Sequence, residues 1–249
     1  MKIKIFMLLV LLLPAIAFSQ PGSLNLGILI DTPAAKLPDR GEIQSGLSMY
    51  SNGGLLGSIL IGLSPRFALG VSYGGENIIG TGDINLNPQP SVEVRYLLFE
   101  EKFLFPAIQI GFNSQGYGAY NKDLKRYCVK SMGIYAVASK NTSFLGGLGI
   151  HAGINISMEN SDGDKDPNIF FGCHKQINSE LVIIAEYNTA INDNSDNAIG
   201  SGKGYLNCGI RWIFAKQVFV EFDMKNLFEN GQNVAGSSRE VKLYYTTHF

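Results

Sequence analysis

One pattern constrains this sequence more than any other: apolar and polar residues alternate with a period of two along almost the whole chain. In the segment 91–96 the two faces are made of Val92, Val94 and Tyr96 against Ser91, Glu93 and Arg95. The same alternation returns in the segments 148–156, 206–212, 218–225 and 240–249. A period of two is that of a β-strand, so the pattern predicts an all-β chain whose strands have one apolar and one polar face.

The strand lengths and the polar faces favour a membrane barrel over a soluble sandwich. A β-sandwich also alternates, with its apolar face inward and its polar face in water. Here several strands approach the roughly nine to eleven residues that a tilted membrane strand needs. The polar faces are rich in small residues and opposite charges, which suits a crowded, wet barrel interior. We therefore predict a transmembrane antiparallel up-and-down β-barrel over residues 41–249.

The spacing of the strands supports the same prediction. We place about twelve strands, an even number as in bacterial barrels, near 41–50, 54–63, 67–74, 90–99, 106–114, 130–140, 144–157, 168–174, 181–188, 204–213, 218–226 and 238–249. After a short first turn at Asn52-Gly53, tight connections alternate with long polar ones. Membrane barrels have this asymmetry, with short periplasmic turns and longer outer loops. The architecture of a sandwich does not require short and long loops to alternate.

The N-terminus predicts export. Lys2 and Lys4 precede an apolar stretch at 5–13, and Ala17-Phe18-Ser19 supplies the small residues that a signal peptidase reads. Residues 1–19 are therefore expected to be a signal peptide that is cleaved near Ser19. Residues 20–40 are expected to be either a periplasmic segment or a plug in the lumen.

The C-terminus predicts assembly into a membrane. The last strand runs to the end of the chain and carries Tyr245 and the terminal Phe249 on its apolar face. An aromatic at the end of an alternating strand is typical of the signal by which outer-membrane barrels are recognised. We therefore expect the barrel-assembly machinery and outer-membrane lipid to be partners of this chain.

The inward charges are the most informative polar set. By parity the following residues face the lumen: Glu93, Arg95, Glu186, Arg211, Glu221, Asp223, Lys225 and Lys242. Two interpretations stay open. The charges form a salt-bridge lattice that plugs or stiffens the barrel, or they line a narrow polar path for a small or sugar-like solute. In the second case Tyr135, Phe170 and Phe219 are the inner aromatic contacts.

Catalytic and metal chemistry have little support. None of the three histidines, His151, His174 and His248, stands in a recognisable neighbourhood with Ser and a carboxylate. We expect a non-enzymatic protein that needs no cofactor. The spacing of Asp162, Asp164 and Asp166 is a weak calcium candidate that lacks the terminal Glu of an EF-hand loop. The formal net charge of −1 gives no electrostatic footprint for nucleic acid.

Several segments resemble the YjbH-like outer-membrane proteins, which are associated with exopolysaccharide production. The segments are DTPAAKLPDRGEIQSGLSMY (Asp31–Tyr50), FALGVSYGG (Phe67–Gly75), PSVEVRYLLFEEKFLFPAIQIGF (Pro90–Phe112) and YAVASK (Tyr135–Lys140). The resemblance implies an outer-membrane barrel and a glycan as a partner.

These observations predict an outer-membrane barrel of a Gram-negative bacterium, accessory to the transport or secretion of a small solute or an exopolysaccharide. A structural or interaction barrel, with a plugged lumen and partner-binding outer loops, is the alternative. A third interpretation is a soluble periplasmic β-sandwich that binds a ligand.

Overall fold

The computed structural model describes residues 26–142, 147–214, 217–231 and 237–249. The predicted signal peptide lies outside these residues. The described strands are β1 (Glu42–Tyr50), β2 (Gly54–Ser64), β3 (Phe67–Glu76), β4 (Asn85–Leu86), β5 (Ser91–Phe99), β6 (Ala107–Asn113), β7 (Tyr117–Asn121), β8 (Arg126–Val129), β9 (Gly133–Thr142), β10 (Leu148–Ile156), β11 (Asn168–Gln176), β12 (Leu181–Asn188), β13 (Tyr205–Phe214), β14 (Val218–Lys225) and β15 (Ser238–His248). Within these ranges, no helix has the length and apolar character that crossing a membrane requires.

Twelve strands form one closed antiparallel barrel, which confirms the predicted fold. They are β1, β2, β3, β5, β6 and β9 to β15. Each pairs with its neighbours in the ring, and β1 closes the ring by pairing with β2 on one side and β15 on the other. The strand bounds lie within a few residues of those predicted, and β12 coincides with its prediction.

Two short elements depart from the sequence prediction. β4 extends the outer end of β3, and β7 and β8 pair into a hairpin within the predicted loop at 115–129. The side-chain oxygen of Asn121 accepts hydrogen bonds from the N–H groups of Asp123 and Leu124 and so closes the hairpin turn. Such local contacts leave no trace in the alternation of apolar and polar residues.

The barrel wall separates an apolar outside from a polar inside. Ile59, Val71, Ile154 and Phe222 point outward and are 45%, 54%, 58% and 55% exposed, whereas Arg95 on the opposite face is 3% exposed. A band of exposed aliphatic and aromatic side chains is a liability in water but is well solvated by hydrocarbon. The sorting of the two faces is the one that a membrane barrel requires.

Residues 26–40 are called the plug below. Residues 26–38 lie inside the barrel, whereas Asp39 and Arg40 are exposed. The plug turns back on itself because the N–H of Leu29 donates to the C=O of Thr32 at 2.9 Å and the N–H of Ala34 donates to the C=O of Gly27 at 3.2 Å. It joins β1 at the short-turn end of the barrel, where the N–H of Gly41 donates to the C=O of Gly62.

Apolar packing holds the two arms of the plug. A buried cluster joins the plug to β12 and is made of Leu26, Leu29, Ile30, Ala34, Val182 and Ile184. Ala35 and Leu37 join a second cluster with Leu60, Ala68 and Leu97 of the barrel wall. Burying one aliphatic side chain contributes about 1.5 to 3 kcal/mol, so the plug is packed in the lumen much as a small protein core is packed.

Candidate functional site

The tip of the plug is bound by one carboxylate of the barrel wall. Glu186 on β12 is buried and accepts hydrogen bonds from the backbone N–H groups of Ile30, Asp31 and Thr32 at 2.9 to 3.1 Å. The hydroxyl of Thr32 and the side-chain amide of Asn207 donate to the same carboxylate at 2.8 Å. A carboxylate that accepts this many hydrogen bonds is well compensated for the loss of water.

Cations of the wall bind the carbonyl groups of the same tip. Arg211 donates to the C=O of Ile28 and Leu29 at 3.2 and 2.8 Å, and it also donates to Glu221. Lys242 donates to the C=O of Ile30 at 2.7 Å. The tip therefore presents N–H groups to an anion and C=O groups to cations, so its backbone is satisfied without a strand partner.

Asp31 ties the plug tip to the outer half of the wall. Its carboxylate lies 2.6 Å from Nζ of Lys225 and 3.6 Å from Nζ of Lys242. Lys225 also pairs with Glu240 at 2.9 Å, and Lys242 pairs with Asp223 at 3.0 Å. Glu240 belongs to this network and was not among the predicted inward residues.

A second contact lies on the opposite wall. Arg95 on β5 pairs with Glu93 at 2.7 Å and donates to the C=O of Gly27 at 2.8 Å. The structure thus places all eight residues of the predicted inward set in the lumen. Five of them contact the plug directly, namely Arg95, Glu186, Arg211, Lys225 and Lys242. The other three, Glu93, Glu221 and Asp223, pair with cations of this group.

The predicted inner aromatics also lie inside the barrel. Tyr135 and Phe170 are almost fully buried in the apolar cluster that holds the plug, and the hydroxyl of Tyr135 accepts a hydrogen bond from Gln109. Phe219 stacks on Tyr244 with ring centroids 4.7 Å apart. The guanidinium of Arg211 lies 4.9 Å from the ring centre of Phe219. Tyr135 and Phe170 thus pack against the plug, and Phe219 contacts Arg211, which binds the plug tip.

Two cavities flank the plug tip. The larger one, called the vestibule below, has a volume of about 450 Å³ and lies at the long-loop end between the β1–β2 turn, the β7–β8 hairpin and the start of β15. A smaller cavity of about 80 Å³ lies deeper, between the plug and β1, β2, β3 and β5. Leu56, Gln115 and Tyr117 line both cavities, so these three residues lie between the vestibule and the smaller cavity.

The long loops are tied together over the barrel by buried ion pairs, called the lid cluster below. Arg126 has a fully buried side chain and lies 2.6 Å from Asp162 and 2.7 Å from Asp193. Lys130 lies 2.8 Å from the same Asp162. These contacts join the loop before β9, the loop before β11 and the loop before β13.

The carboxyl groups of these loops differ in their environments. Burial raises the pKa of Glu159 above its ordinary value, and hydrogen bonds from the N–H groups of Ser131 and Tyr127 offset only part of this effect. Burial also acts to raise the pKa of Asp162, but hydrogen bonds from Lys130, the Asp164 N–H and Arg126 prevail and leave it lowered. Asp162 is therefore held as an anion between two cations.

The same contacts remove the basis of the calcium candidate. Asp162 is occupied by Arg126 and Lys130, and Asp164 accepts hydrogen bonds from the N–H groups of Asp166 and Asn194. Across the described part of the chain, no group of three or more His, Cys, Asp or Glu side chains is placed to hold a metal ion. The carboxylates of Asp162 and Asp164 therefore order the loop before β11.

A buried hydrogen-bonded chain of Ser139, His151 and His174 was not predicted from the sequence. Ser139 Oγ lies 2.7 Å from Nδ1 of His151, and Nε2 of His151 lies 2.9 Å from Nδ1 of His174. The N–H of Ala35 donates to Ser139 Oγ at 2.8 Å, so the plug covers the serine. The parity of β9, β10 and β11 places all three side chains inward, but only the strand register shows that they touch.

The aromatic residues of the predicted assembly signal face outward. Tyr245 is 47% exposed on the apolar side of β15. Phe249 follows the last residue of β15 and is 84% exposed. Its N–H donates to the C=O of Gly41, which places it at the short-turn end of the barrel.

Comparison with known proteins identifies the fold. No protein-family model matches the chain, and no curated protein matches it. The "KdgM porin" is 14% identical with a TM-score of 0.51, over 83% of this chain and 99% of that one. "KdgM porin in complex with disordered oligogalacturonate" has the same identity and coverage with a TM-score of 0.50. The chain thus has the closed antiparallel barrel fold of these two structures.

A further outer-membrane protein structure is less similar. The Acinetobacter baumannii outer membrane protein Omp33 is 9% identical, with 84% of this chain and 97% of that one covered and a TM-score of 0.46. Identity at these levels establishes architecture and leaves the solute open. The structures named here are not described as YjbH-like proteins, so that resemblance stays a prediction.

Proposed function

We propose that this protein is a non-enzymatic outer-membrane barrel of a Gram-negative bacterium that passes a small polar solute and whose lumen is closed at rest by its own plug. In this proposal residues 1–19 direct export and are removed near Ser19. The barrel-assembly machinery then inserts the chain, with Tyr245 and Phe249 as the recognised end and outer-membrane lipid around the apolar band.

The observation that carries the proposal is the seating of the plug tip among the charges of the lumen. Glu186, Arg211 and Lys242 all contact the backbone of the tip. Two further contacts with the plug, those of Tyr117 and Lys225 with Asp31, are made by residues that line the vestibule at the long-loop end. A lattice that served only to stiffen the wall would need no contact with the plug, whereas a closure element requires it.

The sizes of the cavities define what the resting state admits. The inner cavity, of about 80 Å³, is much smaller than the vestibule and than the roughly 300 Å³ of the smallest ordinary ligand pockets. Passage of a larger solute therefore requires that the plug move. Tight packing of its apolar arms makes this movement a discrete change and not a gradual one.

Solute uptake into proteoliposomes tests the proposal. Vesicles that contain the wild-type barrel should swell slowly in an isotonic solution of a small polar solute such as glycerol or arabinose. Vesicles with Glu186→Ala, which removes the acceptor of the tip, should swell several-fold faster. Equal and slow swelling for both proteins, with both barrels folded, would contradict a conducting role.

The interaction barrel remains a second candidate because of the lid cluster. Buried ion pairs fix the long loops in one arrangement, and a fixed loop surface is suited to binding a partner. Under this alternative, Glu186→Ala leaves swelling unchanged, and Arg126→Ala abolishes binding of the cell-surface partner.

The exopolysaccharide link follows from the YjbH resemblance alone. If it holds, a strain that lacks this protein should retain more polymer inside the envelope and release less into the medium. Unchanged polymer release would leave the barrel proposal intact and remove the exopolysaccharide role.

A further inference from the structure

We propose that the vestibule is a binding site for a short neutral saccharide and that it discriminates against uronic acids. This inference rests on the proposed function, because it names the class of solute that the barrel takes up. The cavity volume of about 450 Å³ lies within the range of ligand pockets, about 300 to 1,000 Å³.

The wall of the vestibule has the chemistry that sugars require. Three tyrosines line it, Tyr50, Tyr117 and Tyr205, and their rings offer apolar surface for the C–H faces of a pyranose. Between the rings stand amide, hydroxyl and carboxylate groups that can exchange hydrogen bonds with sugar hydroxyls, and these belong to Asn52, Glu76, Asn226, Ser237, Ser238 and Glu240.

The charges of the wall exclude an acidic ligand. Lys225 is the one cationic side chain among the described residues that line the vestibule. Its Nζ lies 2.6 Å from Asp31, 2.9 Å from Glu240 and 4.5 Å from the ring centre of Tyr117. A uronate would lie near the carboxylates of Glu76 and Glu240, and the ammonium group of Lys225 is already paired. Repulsion between like charges is costly in a cavity that is partly shielded from bulk water.

The floor of the vestibule is also the seat of the plug. The hydroxyl of Tyr117 donates to the C=O of Asp31 at 3.0 Å, and Lys225 pairs with the Asp31 carboxylate. A saccharide in the vestibule therefore lies directly over two of the contacts that hold the plug tip. The residues that bind the saccharide are therefore also residues that hold the plug.

Cys128 provides a direct readout because it lines the vestibule. Cys173 and Cys208 stand on the outward faces of β11 and β13, so Cys173→Ser and Cys208→Ser leave a single thiol in the lumen. Burial raises the pKa of the Cys128 thiol, and a small methanethiosulfonate reagent at mildly alkaline pH will label it. The full mature barrel in detergent is used.

The experiment compares three sugars at equal concentration: maltose, N,N′-diacetylchitobiose and digalacturonate. We expect at least one neutral disaccharide to slow the labelling of Cys128 several-fold in a saturable manner, and digalacturonate to have no effect. Glu76→Lys, which places a free cation on the wall, should make digalacturonate protective. If neither neutral sugar protects, or if digalacturonate protects the wild-type wall as well as they do, the inference is overturned.

Calorimetric titration of the wild type with the same sugars decides the question if the thiol reacts too slowly for a rate to be measured. Heat of binding from a neutral sugar alone supports the inference, and no heat from either neutral sugar overturns it. Binding is read in detergent and passage is read in vesicles. If the barrel binds a neutral sugar but its vesicles never swell, this inference holds and the proposed function fails. If the vesicles swell but no neutral sugar binds, the proposed function holds and this inference fails.

Discussion

The carboxylate of Glu186 on β12 accepts a hydrogen bond from the backbone N–H of Thr32 at 2.9 Å, although the two residues are 154 positions apart in the chain. This contact and the neighbouring ones convert the segment before the first strand into part of the lumen. The barrel and its plug therefore form one packed unit, and the wall charges that face inward are satisfied by plug backbone as well as by one another.

Removing the Glu186 carboxylate should loosen the plug without breaking the barrel. Glu186→Ala leaves three backbone N–H groups without an acceptor, and each unsatisfied buried group costs about 1 to 3 kcal/mol. Trypsin added from the short-turn side should then cut after Lys36 many times faster than in the wild type. Glu180→Ala, at an exposed position just before β12, is the matched control and should leave the cleavage rate unchanged.

The assignment of inside and outside predicts opposite outcomes for two adjacent residues. Ile59 on β2 is 45% exposed on the apolar face, and Ser58 lines the inner cavity. Ile59→Lys places a cation in hydrocarbon at about 2 to 4 kcal/mol near mid-depth, so the yield of heat-modifiable barrel should fall sharply. Ser58→Lys should assemble. Equal loss of assembled protein in both variants would count against the assignment.

Arg126 should be required for the order of the long loops. Breaking a buried ion pair costs about 3 to 5 kcal/mol because the remaining charge is left unpaired. Arg126→Ala removes the cation beside Asp193 and leaves Asp162 with Lys130 alone. Loop cleavage by an added protease should accelerate while the barrel stays folded. Arg66→Ala removes only an exposed pair with Glu100, 3.9 Å away in a short turn, and should have no measurable effect.

The lid cluster should also weaken in acid. The pKa of Asp162 is lowered in the folded state, so its stabilisation is complete above the ordinary aspartate value of about 3.9 and is lost as the pH falls through the lowered pKa. Hydrogen exchange of the loop before β11, corrected for intrinsic rates, should accelerate between pH 5 and about pH 2. Asp162→Asn should make that loop mobile at both pH values; a wild-type loop with no pH response would refute the assignment.

Most of the strand positions follow from the sequence because two media act on every strand. Val92 and Val94 must meet hydrocarbon while Glu93 and Arg95 must not, and this requirement repeats every second residue. The alternation of short and long connections then indicates how many strands the barrel has. The hairpin of β7 and β8 escapes this reasoning because local turn contacts hold it.

The candidate site is only partly predictable. Parity places Glu186, Arg211 and Lys242 inward, yet no periodic pattern indicates that their partners are backbone groups of the plug. The pairing of His151 with His174 depends on strand register, which sets His151 opposite Gly172 and His174 opposite Gly149. Long-range contacts of this kind depend on the closed ring and leave no local signal.

Single-channel recording in planar bilayers tests the central claim, a lumen closed at rest by residues 26–40, most directly. The wild-type barrel should be silent or show only brief, small openings, and Glu186→Ala should show long openings of much larger conductance. Stable large openings of the wild-type protein, with the same conductance as the variant, would show that the plug does not close the barrel.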